Sequence, residues 1–146
     1  MNIEIVKLHE KAEIPLKATS GSAGFDLYAC LDSSETIDSM KTKIIGTGVS
    51  IAIPEGHFGM MCPRSGLAQK FGITLLNSPG IIDSDYRGEI KCLMINLSNA
   101  NFVIEHKMRI AQLLIIDNES SIIFQELNAH SVQTKRGISG FGSTGL

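Results

Sequence analysis

An all-β fold, whether sandwich, jelly roll or barrel, is what this sequence predicts, and three observations carry the prediction. Turn chemistry recurs at short intervals, in "SGSAG" at 20–24, "IPEG" at 53–56, "NSPG" at 77–80, "YRG" at 86–88, "SNAN" at 98–101 and "DNESS" at 117–121. The runs between these marks are short and rich in Ile, Val, Leu and Phe. Helical spacing of apolar residues is not sustained over ten or more positions anywhere in the chain. Many short strands closed by frequent turns suit packed antiparallel sheets rather than an alternating α/β sheet.

Taken in chain order, "GVSIAIP" at 48–54 puts Val49, Ile51 and Ile53 on one face with period two, the mark of a half-buried strand. "SGLAQKFG" at 65–72 is the one short helical candidate, with Ser65 placed to cap its first turn. "IKCLMINL" at 90–97 and "IAQLLII" at 110–116 are apolar on both faces, as strands covered on both sides are. The last eleven residues, "RGISGFGSTGL" at 136–146, are too rich in glycine to pack and lack strand alternation. One domain over 1–135 followed by a flexible tail over 136–146 is the expected organisation.

The bulk numbers narrow the function. The chain has 146 residues, 43% hydrophobic and 19% charged, which suits one globular domain with a real core. A formal charge of −2 argues against a general nucleic-acid coat, which needs a basic face. Cys30, Cys62 and Cys92 are odd in number and wide in spacing, so they fit neither a disulfide framework nor a CxxC metal site, and they suit a reducing cytoplasm. The N-terminal "MNIEIVKLHEKAEIP" has acidic residues where a signal peptide needs an apolar core, and no run approaches the roughly 20 residues of a membrane span. A soluble intracellular protein with no membrane partner is the expectation.

Four segments carry candidate chemistry. In "GIIDSDYRGEIK" at 80–91, Asp83 and Asp85 are two apart and on a strand would share a face, one carboxylate holding a water while the other orients a neighbour. The same residues also make a polar hairpin tip. "CPRSGLAQKFG" at 62–72 offers Arg64, Ser65 and the N–H of Gly66 to an anion. Asn77 before "SPG" has a carboxamide able to match the imide edge of a base, although asparagine is also an ordinary turn residue. Gln112 sits within an apolar strand, where it must find a partner. His9, His57, His106 and His130 are never spaced as metal ligands, and no cysteine has a neighbour that marks a nucleophile. Glycine alternating with hydroxyls in the tail is how backbone wraps phosphate oxygens. The segments together are the parts of a nucleotide site.

Five segments in order resemble the five motifs of the trimeric deoxyuridine triphosphate nucleotidohydrolases, the dUTPases: "AGFDLYA" at 23–29, "PRSGLAQK" at 63–70, "NSPGIIDSDYRGEI" at 77–90, "RIAQLLI" at 109–115 and "RGISGFGSTG" at 136–145. The resemblance spans nearly the whole chain. It implies a distorted jelly-roll β-barrel assembled as a homotrimer, with three active sites at subunit interfaces and the tail acting as a phosphate-binding lid. The implied reaction is hydrolysis of dUTP between the α and β phosphorus atoms to dUMP and pyrophosphate, with Mg²⁺ carried on the triphosphate. Such an activity keeps uracil out of DNA and supplies the precursor of thymidylate.

By the same resemblance, Asp83 is the general base for the attacking water, and Gln112 positions that water or the α-phosphate. Arg64, Ser65 and Gly66 bind the phosphate chain across a subunit boundary. Asn77 and the backbone of Gly80, Ile81, Ile82 and Asp83 read uracil, Tyr86 lies under the sugar and disfavours a 2′-hydroxyl, and Lys91 is a further contact. Asp26 is mainly structural and meets Mg²⁺, if at all, through water. In the tail, Arg136 serves the γ-phosphate, Phe141 stacks on uracil, and Gly142, Ser143 and Thr144 surround the β and γ phosphates. The usual tail motif has two consecutive glycines before the phenylalanine, where this chain has Ser139 and Gly140. A positive φ at 139 would cost serine about 1 kcal/mol. A dCTP deaminase shares the fold and part of the motif set, but that group lacks the "IDSDY" core. A jelly-roll module that only binds nucleotide is the non-enzymatic alternative.

Overall fold

The computed structural model describes residues 1–119, 121–128, 132–135 and 137–138. Eleven strands and one helix are formed there: β1 (Glu4–Lys7), β2 (Phe25–Tyr28), β3 (Glu35–Ile37), β4 (Thr42–Gly46), β5 (Val49–Ala52), β6 (His57–Cys62), α1 (Ser65–Phe71), β7 (Ile73–Leu75), β8 (Gly80–Ile82), β9 (Lys91–Asn96), β10 (Phe102–Ile104) and β11 (Arg109–Asp117). Every pairing between these strands is antiparallel, in the orders β1–β5, β3–β10, β4–β9–β7 and β2–β11–β6–β8. The inward residues of all four sheets meet in a single core that includes Leu27, Ile45, Ile53, Ile73, Met94, Ile104 and Ile110. Small sheets wrapped around one core make the distorted jelly-roll barrel that the sequence predicts.

The turns set the strand lengths. Gly48, between β4 and β5, has φ +68, and a Cβ there would lie 2.8 Å from both the Ala12 Cβ and the Cys30 Sγ. Only glycine meets both demands. Val49, Ile51 and Ile53 all face the core, in keeping with the alternation in "GVSIAIP". Among these residues Ser50 is buried too, its hydroxyl donating to Arg87 O at 2.8 Å.

Two local expectations need correction. Ser65 does not cap α1: Arg64 occupies the N-cap position with φ −97 and ψ 125, makes no side-chain cap bond, and accepts the Leu67 and Ala68 N–H groups at its carbonyl. Ser65 is therefore the first helical residue, and its hydroxyl is not spent on capping. Within one chain β9 is covered on one side only. Cys92, Met94 and Asn96 are buried while Leu93 and Ile95 are half-buried on the outer face. The long apolar run marks a strand whose second face is left for something else to cover.

Asn96 is the buried polar joint of this fold, with no exposed surface. Its Nδ2 donates to Ile37 O at 2.9 Å and Ala100 O at 2.7 Å, and its Oδ1 accepts from the Ser98 N–H at 3.0 Å and hydroxyl at 2.8 Å. It thus ties the end of β9 to β3 and to the turn that leads into β10. Cys92, also fully buried, donates to Met61 Sδ at 3.5 Å, and burial pushes its thiol up to about 12.

Asn96→Ala should lower stability by about 3 kcal/mol or more, since it strands several buried donors and acceptors together; a urea midpoint unchanged from the parent would contradict this. Cys92 should resist a thiol reagent at pH 8 until the chain unfolds. Its raised value also fixes the sign at high pH. The unfolded thiol ionises from about pH 9 while the folded one stays protonated, so stability falls as pH rises through that range.

Candidate functional site

One row of the β2–β11–β6 sheet organises the first half of the site. Gln112 on β11 stands opposite Asp26 on β2 and opposite Cys62 on β6. After Cys62 the chain leaves the sheet, and Arg64 precedes α1. The Asp26 carboxylate, whose side chain is 12% exposed, accepts from Arg64 Nε at 3.1 Å on Oδ1 and from Arg109 Nη1 at 3.1 Å on Oδ2. Arg64 Nη1 also donates to Arg109 O at 3.2 Å. Two guanidinium groups on one carboxylate leave the corner with surplus positive charge.

Gln112 Nε2 donates to Pro63 O at 3.0 Å, which satisfies the polar side chain that the sequence leaves in search of a partner. Its carboxamide lies against Gly24, where a Cβ would sit 2.8 Å from Oε1. The first N–H groups of α1 have no helical acceptor, and open space surrounds the place a Gly66 side chain would occupy. Arg64, Ser65, Gly66, Gln112, Asp26 and Gly24, with Ala18, Ser22 and Ala23, line a cleft of about 300 Å³. Its donors and net positive charge suit an extended anion.

The second half lies at the other edge of the same sheet. A cleft of about 210 Å³ is lined by Met61, Asn77, Gly80, Ile81, Ile82, Asp83, Tyr86, Glu89, Ile90 and Lys91. After β8 the chain turns sharply, with the Tyr86 N–H donating to Asp83 O at 3.1 Å. Arg87 Nη1 braces that turn through Ser84 O at 2.6 Å and Tyr86 O at 2.9 Å. The Tyr86 ring folds over Gly88, where a Cβ would lie 2.6 Å from Cζ, and its hydroxyl donates to Glu89 O at 3.0 Å. Asp83 is exposed, and its carboxylate has no hydrogen-bond partner among the described residues.

Asp83 and Asp85 do not share a strand face. β8 ends at Ile82, both aspartates fall in the turn, and Asp85 lines a separate hollow with Glu4, Glu55 and Arg87. The dihedrals of a turn remove the period-two argument, and Asp83 lines its cleft without its neighbour. Among the described residues, no three His, Cys, Asp or Glu side chains converge as metal ligands. Asp26, with each oxygen already held by an arginine, is poorly suited to bind a divalent ion directly. Arg136, Phe141, Gly142, Ser143 and Thr144, together with Ser139, lie outside the described residues. No helix among the described residues is long and apolar enough to cross a membrane.

A family model described as dUTPase matches residues 10–145. The chain belongs to the dUTPase family. It is 48% identical over 147 residues to the deoxyuridine 5′-triphosphate nucleotidohydrolase of Wolbachia pipientis subsp. Culex pipiens, with 99% of this chain and 96% of the relative covered. It is equally 48% identical to that of Rickettsia prowazekii, over 100% of this chain and 98% of the relative. Among solved structures, the dUTPase of Staphylococcus bacteriophage 80alpha with dUPNHPP aligns with a TM-score of 0.90 at 23% identity, covering 99% of each chain. A mutant dUTPase of phage phi11 of S. aureus, described with a structural Mg(II) ion, aligns at 0.81 with 19% identity over 90% of this chain and all of that one. These two show the shared dUTPase fold.

The structure brings Arg64, Ser65, Gly66, Gln112 and Asp26 together, and separately Asn77, Gly80, Ile81, Ile82, Asp83, Tyr86 and Lys91. Sequence reasoning missed Ser22, Gly24, Glu89 and Arg109. Gly24, Glu89 and Arg109 stand within the segments at 23–29, 77–90 and 109–115 that resemble family motifs, but the sequence gives them no individual role. Gly24→Ala should push the Gln112 carboxamide off Pro63 O, read as a shift of its side-chain amide resonances in a chain that still folds; unmoved resonances would show that the contact is not close.

Proposed function

We propose that this chain hydrolyses dUTP to dUMP and pyrophosphate in a homotrimer whose sites each draw on more than one subunit, limiting uracil in DNA and supplying dUMP for thymidylate. The observation that carries the shared site is the register of one sheet. Gln112 stands opposite Cys62, whereas Ile82, the residue before Asp83, stands opposite Gly59 on the far side of β6. Three residues along a strand and two strand spacings across amount to about 10 Å each way, so about 14 Å separate the two rungs. A single water cannot bridge Asp83 and Gln112 of one chain. Each cleft is half a site, completed by the other half from a neighbour.

The outer face of the β4–β9–β7 sheet supports assembly. Ile44 stands opposite Leu93, and the Leu76 N–H donates to Leu93 O, so three large apolar side chains cross the sheet in a row. Ile44 is 64% and Leu76 52% exposed in the single chain. A row of this kind is an ordinary subunit contact and an unusual solvent face.

In the proposed reaction the base cleft seats deoxyuridine. Main-chain donors and acceptors along β8 and the Asn77 carboxamide pair with the imide edge of uracil, a pattern that cytosine reverses. Tyr86 backs the sugar and Lys91 stands at the mouth. Asp83 takes a proton from water as its oxygen attacks the α-phosphorus, and the bond to the bridging oxygen breaks to release pyrophosphate. Gln112 holds the water or an α-phosphate oxygen of the partner half-site. Arg64, Ser65 and Gly66 neutralise charge growing on the leaving group. Mg²⁺ enters with the triphosphate as part of the substrate. Residues 136–146 supply the lid, with Arg136, Ser143 and Thr144 on phosphates and Phe141 on the base. Three free cysteines suit a cytoplasmic setting.

With dUTP, dCTP, dTTP and UTP in Mg²⁺, pyrophosphate should appear from dUTP alone; ammonia from dCTP would indicate a deaminase instead. Asp83→Asn should cut turnover on the order of a thousandfold or more and keep nucleotide binding. Arg64→Ala should be inactive as well. Co-refolding these two inactive variants in equal amounts should restore activity in about a quarter of sites, because random mixing pairs an intact anion half with an intact base half that often. Mixtures as inactive as their components would place both halves of the site on one chain.

A further inference from the structure

Glu89 has no part in the chemistry above, yet two residues of the base cleft, Tyr86 and Lys91, and the β4–β5 turn converge on it. It lies between the Tyr86 turn and β9 with its side chain 26% exposed. Its Oε1 accepts the Gly48 N–H at 2.9 Å, and its Oε2 lies 3.5 Å from Lys91 Nζ. Its main-chain carbonyl accepts the Tyr86 hydroxyl at 3.0 Å. The seat for the carboxylate exists because Gly46 has no side chain, since a Cβ there would lie 2.5 Å from Oε1. Gly46 stands opposite Lys91 in the β4–β9 pairing, so the carboxylate crosses a bare stretch of β4 to reach the next turn. Neither Gly46 nor Gly48 lines the cleft.

The two carboxylate contacts differ in kind. The bond to the Gly48 N–H is charge-assisted and half-buried, and it fastens one backbone segment to another. The pair with Lys91 is more exposed and longer, hence the weaker of the two. Together they hold the segment from 86 to 91 against the barrel, and through it the Tyr86 ring, whose hydroxyl is bound to the carbonyl of Glu89 itself.

We propose that Glu89 is a positioning residue that sets the sugar discrimination of this cleft. It clamps the Tyr86–Lys91 segment to the β4–β5 turn, so that ring and ammonium keep one place at the edge of the site. The inference rests on the reading of this cleft as the deoxyuridine seat.

Glu89→Ala should lower the ratio of kcat/KM for dUTP over UTP about tenfold, chiefly through a higher KM for dUTP. Glu89→Gln keeps an acceptor for the Gly48 N–H and should retain most of that ratio. Gly46→Ala does not touch the cleft but evicts the carboxylate, so it should reproduce the Glu89→Ala ratio. Added to Glu89→Ala it should change the ratio no further. The Gly48 amide resonance should move in both single alanine variants. Equal losses on dUTP and UTP, or an unchanged ratio after the Gly48 amide has moved, would overturn the proposal. A parent enzyme that releases no pyrophosphate from dUTP would refute the functional reading instead, and the amide shift would still report on the clamp.

Discussion

Asp26 is the point on which the anion half-site hangs. Its carboxylate is held by one arginine from the start of α1 and one from the start of β11, while its backbone belongs to β2. Three segments far apart in sequence are fixed at one corner by a single buried charge. A buried ion pair is a poor source of stability, because desolvation cancels much of its Coulomb gain. Its value here is geometric. Removing the carboxylate would leave two guanidinium groups facing each other, so the corner holds one arrangement, with Arg64 turned towards the cleft that Gln112 and Gly66 share.

The second cleft is built on a different principle. No ion pair orders Asp83; the turn that carries it is closed by main-chain carbonyls, with Arg87 bracing two of them from outside. Asp83 is thereby held in place through backbone while its carboxylate is left unengaged among the described residues. In the proposed reaction Asp83 accepts a proton from water, and a permanent cation bound to a carboxylate weakens it as a base. The two clefts differ in environment: two guanidinium groups converge at the first, whereas in the second Lys91 pairs with Glu89 and Arg87 is engaged by main-chain carbonyls. Placing them at opposite edges of a sheet on one chain keeps the two environments apart, and in the proposed trimer assembly would join them.

Much of this was legible in the sequence, and what was not has specific causes. Turn residues and short apolar runs gave the all-β class, because both depend on local dihedrals and alternation. Arg64, Gln112, Asp83 and Tyr86 were legible as chemistry. The placement of Asp83 and Asp85 on one face failed because two-residue periodicity holds only while the chain stays extended, and β8 ends at Ile82, before either aspartate. Ser65 was misplaced by one position, since Arg64 takes the N-cap place while its side chain bonds Asp26, a contact across 38 residues that no local pattern records. The two-sided apolarity of β9 suggested cover on both faces, but the chain itself covers one face only, since apolar periodicity records a residue's type and not what lies against it.

The glycines of this site carry information that their small size conceals. Gly24, Gly46 and Gly88 have no need of positive φ; at each a side chain lies where its Cβ would be, respectively Gln112, Glu89 and Tyr86. In each pair the glycine and the side chain it admits belong to one constraint, and a methyl group on the first acts as a mutation of the second. That explains how a barrel of short strands can hold polar groups in place without a dense polar core. The backbone itself, stripped of side chains at three places, is the surface against which they are set.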